Sequence, residues 1–377
     1  MSIEPFKFGI ATSGEHFTDR EKETERLIGN FQHGINTILI SPRRWGKTSL
    51  VKKASTLATT KELRIVYLDI FACRTEEEFC NAFATAVLKQ TSTRAEEWLR
   101  NIQDFLSRVS PRVTLGVDPT AEMSLSIDLR GVERGLEEVL EFPEKYAMKH
   151  NCRIVICIDE FQQIGEFANS LTFQKKLRTI WQHQKQVSYC LFGSKKHLMD
   201  ELFGRKDYPF YKFGDMIYLG KISTEDWVTY ISERFLTTGK EIPTELAKKI
   251  AKAVDNHSSY VQQLAWLVWG RTEKRATEDD LERAIEDLIN QNRPLFEKQT
   301  EELTSHQLSL LRAIVDGNNN SFTSQRIIDD YNLNSSANAN AVKNALTNKE
   351  LIDTDNGHTY ITDPVFTLWL SRYLFYR

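Results

Sequence analysis

The chain has 377 residues, with 49 Lys and Arg against 52 Asp and Glu and a net charge of −3 at pH 7. That length predicts two or three domains with real cores, and the near-neutral balance excludes a general attraction to nucleic acid or anionic membrane. No apolar run reaches the roughly 18 residues of a membrane span. Met1-Ser2-Ile3-Glu4-Pro5 lacks the basic start and apolar stretch of a signal peptide, and the five scattered cysteines read as reduced core residues of a cytoplasmic protein.

The apolar run Ile38-Leu39-Ile40 predicts a strand, and Ser41-Pro42-Arg43-Arg44-Trp45-Gly46-Lys47-Thr48 follows it, opening a helix at Ser49-Leu50-Val51. Strand, tight loop, Gly-Lys-Thr and helix are the parts of a phosphate-binding loop. There, backbone N–H groups and the helix N-terminus surround nucleotide phosphates, the Lys reaches the β/γ oxygens and the Thr hydroxyl ligates Mg²⁺. Residues Ser41 to Ser49 are therefore candidate nucleotide contacts. Ser41 stands where the first Gly of such loops normally sits, which is acceptable only if its dihedrals suit a residue with a Cβ.

Arg64-Ile65-Val66-Tyr67-Leu68-Asp69 predicts a second strand, and Glu76 to Leu106 has helical periodicity. Alternation on both sides of Pro119-Thr120-Ala121-Glu122 predicts a β-hairpin near 111–129, either covering the core or offering a docking edge. Arg153-Ile154-Val155-Ile156-Cys157-Ile158 then runs apolar into Asp159-Glu160, the pattern of a central parallel strand with ligand groups at its C-terminal end. Asp159 is the candidate Mg²⁺ holder, and Glu160 the candidate that orients and polarises the attacking water. A further strand, Val187 to Gly193, ends at Ser194, placed to read the γ-phosphate or its water, the role called sensor 1 in AAA+ and related ATPases.

From Ser223 to Gln299 the pattern is helical, broken at Thr237-Thr238-Gly239 and Asp255-Asn256-His257. Val261, Leu264, Ala265, Leu267 and Val268 define a core face, which Trp266 and Trp269 enlarge. Beyond residue 300, helices are predicted near His306–Val315, Ser324–Tyr331 and Ala339–Thr347, with a Ser/Asn-rich turn before the third. A hairpin about Asp355-Asn356-Gly357 follows. Three helices and a hairpin read as a winged helix-turn-helix, a fold that does not by itself establish function. Six Lys and Arg against nine Asp and Glu in residues 301–377 give a net of −3 there. That is a poor footprint for a phosphate backbone, so protein docking or autoinhibition is favoured over DNA.

Together these motifs resemble the archaeal-type ATPases of the STAND branch of AAA+-like proteins, which also occur widely in bacteria. Phe17-Thr18-Asp19-Arg20-Glu21 with Leu27 is similar to the box that precedes the phosphate loop and lies against the base. Phe192-Gly193-Ser194, His197-Leu198-Met199 and Pro209-Phe210-Tyr211-Lys212 resemble the sensor strand and its continuation. Asn256 to Leu264 looks like the lid helix, and Asp363-Pro364-Val365-Phe366 with Trp369-Leu370 like the closing segment. The resemblance implies that Phe17 and Arg20 flank the base and that Lys212 approaches the phosphates where many relatives carry Arg. Lys lacks the bidentate fork of Arg, and Arg43, Arg44, Arg178 and Arg205 stay open as the source of a transition-state cation. Ser259 replaces the Pro expected in the lid helix.

The expected architecture is α/β. It comprises a P-loop parallel sheet of the additional-strand, AAA+-like class over residues 1–221, a helical lid over 222–299 and a winged helix-turn-helix over 300–377. The expected function is a slow, Mg²⁺-dependent ATPase switch that couples nucleotide state to lid and winged-helix arrangement, with Lys47, Glu160 and Ser194 catalytic and Thr48 and Asp159 on the metal. ATP or ADP and a protein partner docking through the lid or winged helix are the expected ligands; DNA and self-association are open. The alternative is a non-catalytic nucleotide-gated binding module or DNA-binding regulator.

Overall fold

A computed structural model describes residues 5–9, 20–91, 113–117, 123–127 and 135–376, the stretches 113–117 and 123–127 through their backbone alone. The chain forms two compact units. One is Arg20–Gly220, and the other joins residues 5–9 to those from Lys221 onward.

The first unit is built on β1 (Thr37–Ile40), β2 (Leu63–Asp69), β5 (Arg153–Asp159), β6 (Val187–Gly193) and β7 (Asp215–Tyr218). Between β2 and β5 in the chain, β3 (Val113–Val117) and β4 (Met123–Ile127) form the expected hairpin as a separate antiparallel pair. The five other strands lie in the order β2-β5-β6-β1-β7, and every pairing is parallel. The sensor strand β6 thus sits between the loop strand β1 and the Asp-Glu strand β5, which is the additional-strand arrangement. Every residue of β6 is buried, because a parallel sheet is covered by helices on both faces and its central strands need no polar alternation. The edge strand β2 mixes buried and half-buried positions instead.

Around this sheet run α1 (Glu21–His33), α2 (Lys47–Ala58), α3 (Glu76–Thr91), α4 (Gly135–His150), α5 (Ser170–Trp181) and α6 (Lys196–Gly204). The helical periodicity expected beyond Thr91 lies outside the described residues. Registers Asp69↔Asp159 and Ile40↔Gly193 bring the C-terminal ends of β2, β5, β6 and β1 to one edge of the sheet. That edge is where open α/β sheets bind ligands.

The second unit contains α7 (Thr224–Leu236), α8 (Thr244–Ala253), α9 (Ser258–Arg271) and α10 (Glu278–Glu301). The winged helix follows: α11 (Ser305–Val315), α12 (Gln325–Asp330), α13 (Ser336–Asn348), β8 (Ile352–Asp355), β9 (His358–Ile361) and α14 (Pro364–Trp369). Asn356 and Gly357, both at positive φ, make the two-residue turn between β8 and β9. The expected Ser/Asn-rich turn spans Asn332 to Ser335, and α13 begins already at Ser336, because the Ser335 hydroxyl caps it on the Asn338 N–H and Ala339, Val342 and Leu346 give it a buried face. One apolar core runs from Trp227 through Leu264 and Leu288 to Leu310, Phe366 and Leu370, and Phe6 belongs to it, edge-on to Tyr230 and Phe235. On α9 the expected core positions are buried. Trp266, however, is turned outward against Phe8 rather than into that core.

Candidate functional site

The phosphate-loop sequence forms the turn its composition demands. Gly46 (φ 92°) and Arg44 (φ 63°) take left-handed backbone, and α2 begins at Lys47. Ser41 is fully buried, stays out of the left-handed region and turns its hydroxyl to the Pro42 carbonyl at 3.2 Å. A Cβ is therefore tolerated where such loops usually have Gly. Lys47, Thr48 and Ser49 occupy the first turn of α2, and their backbone N–H groups belong to the free end that favours anions.

The carboxylates arrive from the neighbouring strand end. Asp159 is the last residue of β5, and Glu160 follows in left-handed backbone (φ 54°, ψ 39°) before a short 3₁₀ turn over Phe161–Glu166. Non-glycine residues pay a conformational cost in that region and tend to persist where surroundings over-determine them. Here they do. Lys47 Nζ lies 3.3 Å from Glu160 Oε1. The Gln162 side-chain amide and the Ser194 hydroxyl both donate to Oε2, at 2.5 and 2.7 Å.

Asp159 is held as firmly. The Glu160 N–H donates to its Oδ1 at 2.9 Å, while Oδ2 accepts from the Thr48 hydroxyl at 2.9 Å and the Tyr67 hydroxyl at 2.6 Å. Lys47, Thr48, Asp159, Glu160 and Ser194, distant in the chain, thus converge in one hydrogen-bonded group.

The two acids differ electrostatically. Burial works to raise both. At Glu160 the Lys47 ammonium and the donors Gln162 and Ser194 outweigh it and hold the carboxyl below its ordinary value. At Asp159 burial prevails over Lys47, Tyr67 and Thr48, and the adjacent Glu160 adds to the rise. Burial and the charge of Asp159 push the Tyr67 phenol far up, so it stays a donor.

Other expected residues are not part of this hydrogen-bonded group in the contacts described. Phe17 lies outside the described residues. Arg20 is buried, with its guanidinium on the Gly220 carbonyl at 2.6 Å and near Glu23 at 3.4 Å. Lys212 is exposed at positive φ, its ammonium 5.5 Å from the Tyr211 ring centre. Arg43 and Arg44 are exposed and Pro42 and Trp45 half-buried. Arg178 stacks on Phe213, and Arg205 pairs with Glu201 and Asp207.

Two contributors escaped the sequence reading. Tyr67 reaches Asp159 because β2 pairs with β5, and Gln162 reaches Glu160 because the 3₁₀ turn folds back. Gln162 also explains Gly193: a Cβ there would stand 2.0 Å from Gln162 Oε1 and 2.8 Å from Met199 Sδ.

Thr48 and Asp159 offer a hydroxyl and a carboxylate, hard oxygen donors of the kind Mg²⁺ accepts alongside phosphate and water. They fit. Cys73, Cys80, Cys152, Cys157 and Cys190 are all buried thiols. Among the described residues no helix is long and apolar enough to cross a membrane.

Residues 17–219 match the model of an ATPase domain found predominantly in Archaea, and residues 294–372 that of a probable winged helix domain. The Walker-type ATPase of Pyrococcus abyssi has a similar structure, with a TM-score of 0.67 at 17% identity, covering 97% of this chain and 99% of that one. The ORC2 protein of Aeropyrum pernix, solved in ADPNP–ADP complexes, gives a TM-score of 0.50 at 15% identity over 95% of this chain and 93% of its own. At such identities the likeness establishes the fold. No curated protein matches the chain.

Proposed function

The chain belongs to the family of ATPase domains found predominantly in Archaea, and from that premise we propose that it is a slow, Mg²⁺-dependent ATP switch whose nucleotide state sets the conformation of its helical and winged-helix segments. The observation that carries this reading is the convergence of Lys47 and Thr48 from the loop with Asp159, Glu160 and Ser194 from two strand ends. Lys47 would bind the β/γ-phosphates. Thr48 and Asp159 would hold Mg²⁺, which when bound neutralises phosphate charge. Glu160, kept ionised by Lys47 and its donors, would take the proton of the attacking water, and Ser194 would report on the γ-phosphate. Residues 222–299 would serve as the lid and 300–377 as the winged helix.

ATP or ADP as ligand is supported by the family and by the ADPNP–ADP complexes of the ORC2 protein. Ser41 supplies no argument for a crippled loop, since its backbone is unstrained. The acidic balance of residues 301–377 favours a protein over DNA as the partner of the winged helix.

Phosphate release from the full chain with Mg²⁺-ATP, beside Lys47→Ala and Glu160→Gln, tests the proposal. Turnover abolished by both substitutions supports it. Tight ATP binding without turnover would favour a nucleotide-gated module, and no binding at all would sink both.

A further inference from the structure

Asp159 Oδ2 accepts two hydroxyl protons, from Thr48 and from Tyr67. The Thr48 hydroxyl is the group that Mg²⁺ would claim in the proposed ATPase. Tyr67 is the side-chain donor left to hold that oxygen. Its own position is well determined. Residue 67 sits in the middle of β2, opposite Cys157 in the β2–β5 register, two positions before the Asp69↔Asp159 pair. The ring lies 6.0 Å from Phe192 of the sensor strand, and the Lys52 ammonium of α2 stands 5.2 Å from its centre. The Gln90 side chain on α3 brackets its backbone, accepting from the Tyr67 N–H at 3.0 Å and donating to its carbonyl at 3.3 Å. Strand β2, the loop helix and the sensor strand therefore meet on one phenol, whose hydroxyl ends on the acid assigned to the metal.

We propose that Tyr67 is a positioning residue for Mg²⁺: it fixes the orientation of the Asp159 carboxylate and so sets the metal requirement of the nucleotide site. The inference rests on the ATPase reading above. A donor behind a metal-ligating carboxylate orients it, and loss of such a partner characteristically weakens metal affinity about ten- to a hundred-fold. Tyr67 contacts neither Lys47 nor Glu160 in the hydrogen bonds described, so its direct effect falls on Asp159 and on the metal that this acid would hold.

The test is equilibrium binding of ATP to the full chain, in EDTA and across a Mg²⁺ titration, for the native protein, Tyr67→Phe and Tyr67→Leu. Phe keeps the ring against Phe192 and Lys52 and removes only the hydroxyl. The expected result for Tyr67→Phe is unchanged affinity in EDTA and a cooperative melting transition that shows the fold intact. The Mg²⁺ concentration for half-maximal enhancement should rise about ten- to a hundred-fold, with Leu no better. A Tyr67→Phe protein with the native Mg²⁺ response overturns the assignment alone. The same holds if only Leu is affected, since the ring rather than the hydroxyl would then be what matters. A native protein whose ATP binding ignores Mg²⁺ overturns the metal reading and the role of Tyr67 with it.

Discussion

Lys47 and Glu160 form an ion pair at 3.3 Å with side chains only 8% and 17% exposed. The cation assigned to the phosphates is thereby held by the acid assigned to the water. In the proposed ATPase, a phosphate entering the loop would share or take over Lys47, and the departing ammonium would free Glu160 Oε1 to act as the base. Glu160→Gln relaxes that hold while removing the base. Turnover should fall about 10²- to 10⁴-fold, with ATP affinity equal to or tighter than native. Single-turnover phosphate release together with nucleotide titration checks both halves.

Gly193→Ala should damage the same acid indirectly. The added methyl would strike Gln162 Oε1 and Met199 Sδ, the far ends of two flexible side chains, so the fold can adjust. What gives way is the amide that donates to Glu160 Oε2. Misplacement of a reacting group by about 1 Å can cost on the order of 10²-fold. We expect a drop in kcat of that order with little change in nucleotide affinity. A reduced affinity with normal kcat would contradict the proposed linkage.

The pH dependence of stability offers a third check. Asp215, at the start of β7, accepts from Arg26 Nε at 2.8 Å and from Asn30 at 2.8 Å. Burial works to raise its carboxyl, but Arg26 and Asn30 outweigh it and hold it below the ordinary value. A folded value below the unfolded one means stability that is present above the unfolded value, about 3.9, and lost as pH falls through the folded one. Because Arg26 is half exposed, the gain is limited to about 1 kcal/mol or less. Asp215→Asn should therefore lower the urea midpoint at pH 7, and the gap to the native protein should narrow as pH falls below the ordinary carboxylate range and through the lowered folded value.

Asp363 carries a comparable load in the second unit. Its Oδ1 accepts the Val365 and Phe366 N–H groups at the start of α14, and its Oδ2 accepts the Tyr260 hydroxyl of α9 at 2.7 Å. Asp363→Ala removes a cap worth about 0.5–2 kcal/mol and the hydrogen bond that the carboxylate accepts from the Tyr260 hydroxyl, about 1.5–3 kcal/mol for a bond to a charged group. Calorimetry should show a lowered melting temperature, and Asp363→Asn should recover part of it.

The loop, the Asp-Glu strand and the sensor strand were legible because each is a local pattern: an apolar run, then a polar end. The helices of the second unit were legible for the same reason, through their spacing and breaks. Tyr67 and Gln162 were not, since their partners are set by strand order and by a left-handed Glu160, and neither leaves a mark in the sequence. For Arg20 the resemblance implies a place beside the base, and what the sequence does not show is that its guanidinium meets the Gly220 carbonyl and Glu23. Trp266 is expected to enlarge the inward face of α9, yet at about 100° per residue it stands roughly 150° from the face of Val261, Leu264, Ala265 and Val268, so the helix itself turns it outward.

Phe6 belongs with Tyr230 and Phe235, residues on the order of two hundred positions later. During synthesis at about 5–20 residues per second, that aromatic side chain waits at least about ten seconds before its partners exist. The sheet of the first unit needs nothing beyond Tyr218 and can close in the meantime. The segment carrying Phe6 is thus made before the sheet and seated after it. Until Tyr230 and Phe235 are made, the aromatic contacts that bury Phe6 cannot form.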